Sequence, residues 1–87
     1  MKITKGDLFA VQSGDYVGQM FAVVDLTKDA IDCLSVPAMK NVNVTKEKFD
    51  FGRNHGIIEY VETVTKDVFQ VIHAQYTKNE NADNRFK

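Results

Sequence analysis

The sequence predicts an α+β, mainly β domain: a five-stranded antiparallel small barrel with a C-terminal amphipathic helix. Three observations lead there. Five short segments rich in apolar residues alternate or nearly alternate, and polar or Gly/Pro breaks separate them. A long loop bounded by two glycines divides the first two segments, as a strongly bent sheet requires. Only near the C-terminal end does the hydrophobic period change from two to 3.6. At 87 residues the chain makes one domain with one modest core.

Lys5-Gly6-Asp7 reads as an opening turn. Residues 8–12 follow as the first strand, with Phe9 and Val11 on one face and Leu8 and Ala10 on the other. Residues 20–26 form the strongest strand. Met20, Ala22, Val24 and Leu26 face one way, Phe21 and Val23 the other, and apolar character on both faces marks a central position. Thr27-Lys28-Asp29 is a break of hairpin length before a third strand over 30–36. Pro37 ends that strand, since it has no N–H for a ladder. Asn41-Val42-Asn43-Val44 reads as a short edge strand, open to pairing with a second copy. Residues 45–56 read as a polar loop carrying Phe49 and Phe51, and Gly56 releases a fifth strand over 57–61.

The helix is expected over 66–76. Thr65 suits the N-cap, Asp67 suits the first turn, and Val64 and Phe69 have the spacing of a hydrophobic staple. Val68, Phe69, Val71, Ile72 and Tyr76 fall on one arc, with Lys66, Gln70 and Lys78 opposite. The barrel domain is expected to span 1–76. Residues 77–87 read as a disordered polar tail in which Phe86 is an exposed aromatic.

Between the first two strands lies "SGDYVGQ", residues 13–19. Gly14 and Gly18 are expected at the corners of this loop, where positive φ or close backbone approach is needed. Tyr16 and Val17 at its tip either fold over the barrel mouth or meet a partner. The segment "KGDLFAVQSGDYVGQMFAVVDL" resembles the opening of SH3-like and KOW-type small barrels: a Gly-Asp turn, a strand, a glycine-bounded loop and a strong apolar strand. The resemblance implies a small barrel that touches RNA or polymerase-associated proteins. Asp7 and Asp15 stand in this segment where a nucleic-acid surface would carry basic residues, which turns the expectation toward a protein partner. In size and texture the whole chain resembles the small accessory proteins of tailed bacteriophages, which implies a modulator of a host protein.

Composition narrows the classes further. A net charge of −1 and a pI near 6.0 leave no global field for nucleic acid or an anionic membrane. The single cysteine, Cys33, excludes an internal disulfide and fits a reducing, cytoplasmic setting. The longest apolar run, residues 20–24, is far too short to span a bilayer, and the N-terminus lacks the pattern of a signal peptide.

No phosphate loop, nucleophile elbow or metal-ligand spacing occurs, so neither catalysis, metal nor cofactor is expected. His55 reads as part of a solvated turn, His73 as a boundary residue of the helix, and Cys33 as a small core residue. Asp25, Asp29 and Asp32 read as a solvated hairpin tip.

Two binding functions are expected to compete. A protein-binding module would use Tyr16, Val17, Phe49, Phe51 and Arg53, because long loops on a rigid scaffold carry recognition. A nucleic-acid-binding barrel would use Lys40, Lys46, Lys48, Phe51 and Arg53, pairing cations with phosphates and aromatics with bases. Glu47 and Asp50 dilute that basic segment, and Phe49 and Phe51 also fit a role as a plug for the barrel end. A third option is a small-ligand pocket between helix and barrel.

Overall fold

The computed structural model describes residues 2–85, with side chains to residue 82. Its elements are β1 (Asp7–Val11), β2 (Met20–Leu26), β3 (Ala30–Val36), β4 (Lys40–Thr45), α1 (Lys46–Asn54), β5 (Ile58–Thr63) and α2 (Lys66–Arg85). The five strands form one antiparallel sheet in the order β4-β3-β2-β1-β5. The first four strands make a meander. The chain then passes through α1 and returns across the molecule, so that β5 pairs with β1. The sheet is not closed: β4 and β5 are its two edges, and α1 fills the space between them, touching β3, β4 and β5.

Residues 46–54 are helical, where a polar loop was expected. Local chemistry supports the start of α1. Thr45 is its N-cap, with Oγ1 accepting from the Lys48 N–H at 3.2 Å, Glu47 lies in the first turn and Arg53 in the last. What holds the helix is one face, Phe49 and Gly52, buried against the sheet. A Cβ on Gly52 would come within 3.3 Å of Ile58 Cγ1, so the glycine lets α1 seat against β5. Phe49 meets Phe9 edge to face, with ring centroids 4.9 Å apart.

The main core lies on this face of the sheet: Phe9, Val11, Phe21, Val23, Ile31, Cys33, Phe49 and Ile58. Ala22 and Leu34, paired in register across β2 and β3, are buried on the opposite face under α2. A β-bulge falls between Val23 and Asp25, so Leu26 joins the core face with its partner Ile31 rather than the face of Met20 and Ala22, where strict alternation had put it.

α2 begins at its expected cap, with the Val68 N–H donating to Thr65 Oγ1. It continues to Arg85 rather than ending at residue 76. Side-chain amides hold the polar extension to the β3–β4 turn. Asn79 Nδ2 donates to the Met39 carbonyl at 2.9 Å and to Asn41 Oδ1 at 3.0 Å, and Asn41 Nδ2 donates to the Tyr76 carbonyl at 3.1 Å. Phe86 and the rest of the expected tail beyond residue 85 lie outside the described residues. The inward face of α2 is also rotated from the expected arc. Phe69, Ile72 and Tyr76 are half-buried, whereas Val68 is 46% and Val71 71% exposed.

Asp7 joins the start of β1 to the end of β5. Its buried carboxylate accepts from the Thr4 N–H, from Thr4 Oγ1 and from Thr63 Oγ1, at 2.9, 3.0 and 2.6 Å. No helix among the described residues is long and apolar enough to cross a membrane.

Candidate functional site

The β1–β2 loop is set by its own backbone. Val17 N–H donates to the Gly14 carbonyl at 3.2 Å and Gln19 N–H to the Tyr16 carbonyl at 3.0 Å. Gly14 and Gly18 hold φ of 93° and 87°, a region that side-chain-bearing residues rarely adopt. The turn throws Tyr16 back over the sheet, where its ring meets Phe21 edge to face at 5.3 Å. Val17 stays at the tip, exposed to solvent.

Across from Tyr16 stands Phe51 of α1. Its ring stacks on His55, centroids 3.9 Å apart and planes 20° from parallel. His55 Nδ1 lies 2.9 Å from the Phe51 carbonyl, which ties the imidazole to the end of the helix. His55 therefore acts as a backstop that fixes the Phe51 ring. Tyr16 is 41% and Phe51 55% exposed.

Between the two aromatics runs a groove of about 350 Å³. Its floor is apolar, built from Phe21, Val42, Val44 and Ile58, and its rims carry Asp15 on the loop and Lys48 on α1. Val42 and Val44 belong to one edge strand and Ile58 to the other. The sheet thus curls far enough for both edges to line one groove, which follows the open seam.

The structure sorts the predicted site residues. Tyr16, Phe51 and Lys48 share the groove. Phe49, also expected as a binding residue, lines the base of the same groove, but at 1% exposure it belongs mainly to the core. Arg53 and Lys46 line a different hollow, beside Ile3, Leu26 and Asp50. Lys40 lies in another, beside Met39 and Asn79. The basic residues expected to bind nucleic acid are thus spread over three hollows, and Lys48 is the one that borders the groove. The cleft between α2 and the sheet measures about 120 Å³, below the ~300 Å³ at which small-ligand pockets begin.

Asp15, Val42, Val44 and Ile58 were not singled out as site residues. Alternation in the sequence identifies the face of Val42 and Val44, and only the tertiary fold brings them together with Asp15 and Ile58. Cys33 is buried, and desolvation, aided by nearby Asp32, pushes its thiol up to about 12. The thiol is therefore held protonated at neutral pH, which disfavours thiolate chemistry. His73 packs beside Phe69, ring centroids 5.9 Å apart. No group of three or more His, Cys, Asp or Glu converges among the described residues.

No family model, curated protein or solved structure matches the chain.

Proposed function

We propose that the protein is a non-enzymatic protein-binding module whose groove takes an extended apolar segment of a partner. One observation carries this reading. Tyr16 and Phe51, from distant parts of the chain, stand partly exposed on either side of one apolar-floored groove, each held by a second aromatic ring. Rigid aromatics present large apolar area at low entropic cost, which makes them effective anchors. Asp15 on the loop and Lys48 on α1 both border the groove and would favour a segment carrying charges of both signs.

The SH3-like small-barrel reading belongs to the same proposal. It is supported by the glycine-cornered β1–β2 loop and by a sheet whose two edges approach one groove. The resemblance to phage accessory proteins makes a bacterial host protein the partner to test first. A nucleic-acid role has weaker support, because only Lys48 of the basic set borders the groove.

The test is capture from bacterial lysate with and without nuclease, using wild type and a Tyr16→Ser/Phe51→Ser double variant. One stoichiometric protein in both wild-type samples, lost with the double variant, is the expected result. Capture that disappears with nuclease, or that survives the double variant, overturns the proposal.

A further inference from the structure

α2 has one face on the sheet and a second face that none of the described residues covers. Asp67, Val71, Ala74 and Lys78 are all exposed. Their spacing of four, three and four residues keeps them within about 60° of arc at 100° per residue. Val68 and Met39, also exposed, extend the apolar part of this face to one side. Among the described residues, neither Asp67 nor Lys78 has an ion-pair or side-chain hydrogen-bond partner.

The order of these residues is self-complementary. An acid stands at one end, a base at the other, and two small apolar side chains lie between them. Turning the stripe end for end about a two-fold axis beside residues 72 and 73 places Asp67 opposite Lys78 of a second copy. The same rotation places Lys78 opposite that copy's Asp67. Val71 and Ala74 of both copies then meet at the axis. A parallel arrangement would instead set Asp67 against Asp67 and Lys78 against Lys78, opposing like charges.

We propose that a second copy of this chain docks on α2, the two helices antiparallel and joined by reciprocal Asp67–Lys78 pairs around a Val71–Ala74 centre. The contact lies on the opposite side of the sheet from the groove and does not depend on the groove's function. Four side chains per copy bury much less than the ~1,200 Å² of a tight interface, so the dimer is weak and salt-sensitive.

Sedimentation equilibrium on the full chain, over concentrations reaching about 1 mM, tests this. Wild type should show a monomer–dimer equilibrium. Asp67→Lys and Lys78→Asp should each weaken it by about tenfold or more, because each sets like charges against one another at both ends. The Asp67→Lys/Lys78→Asp double exchange should restore it to within about threefold of wild type. Val71→Asp should abolish it, with circular dichroism confirming that α2 remains folded. A wild type that stays monomeric throughout overturns the proposal. So does a dimer indifferent to the single reversals, or one that the double exchange does not restore; either outcome places the contact elsewhere or removes the reciprocal pairing.

Discussion

Phe49 and Phe51 lie two residues apart on α1, and truncating each to alanine should separate stability from binding. Phe49 is 1% exposed and packs edge to face on Phe9. Its removal takes away a full aromatic burial and leaves a cavity that α1 cannot close, because Gly52 already sits against Ile58. Such changes cost about 3–5 kcal/mol, the ring pair accounting for about 1 kcal/mol of it. An 87-residue domain has about 4–13 kcal/mol to lose. Phe49→Ala should therefore consume a large share of the total. Phe51 is 55% exposed and meets His55 at the surface, so Phe51→Ala should cost less than about 1 kcal/mol while weakening partner capture. Urea unfolding followed by circular dichroism reads both, through the midpoint at constant slope. A Phe49→Ala loss below about 1 kcal/mol would refute the insertion of α1 into the core. A Phe51→Ala loss as large as that of Phe49→Ala would refute the separation of the two roles.

Two further predictions concern α2 and the buried thiol. Asn79→Ala removes the donor to Met39 and Asn41, so the second half of α2 should fray, with a loss of helical signal and about 1–2 kcal/mol of stability. Unchanged helicity would mean that those amide bonds do not hold the extension. The Cys33 thiol titrates near 12 in the folded chain against an ordinary value of 9.0. The folded state therefore holds its proton longer. The stabilisation is fully present below pH 9 and is lost as pH rises from 9 toward 12, at up to about 1.4 kcal/mol per pH unit. Comparing the alkaline unfolding of wild type and Cys33→Ala isolates this slope, and identical pH profiles would sink it.

Some elements were written locally. β2 and β3 run over the residues expected, because alternation supplies the faces and Thr27-Lys28-Asp29 supplies the break between them. The loop glycines likewise announced their positive φ by composition alone. α1 was hidden because its sequence, KEKFDFGRN, is mostly charged and holds a glycine. Its stability comes from Phe49 entering a core made by other segments. The length of α2 was hidden for the same reason. Asn79 lowers helix propensity in isolation and supports the helix only when Met39 and Asn41 are within reach.

The sequence by itself determined the strand faces up to the bulge in β2, the cap at Thr65, the glycine corners and the aromatic in the β1–β2 loop, since each depends on neighbours within a few residues. The tertiary structure alone decided which of two nearby phenylalanines is buried, which way α2 turns its valines, and that Tyr16 and Phe51 flank one groove. Those outcomes depend on how far the sheet curls, and that is set by packing between residues remote in the chain.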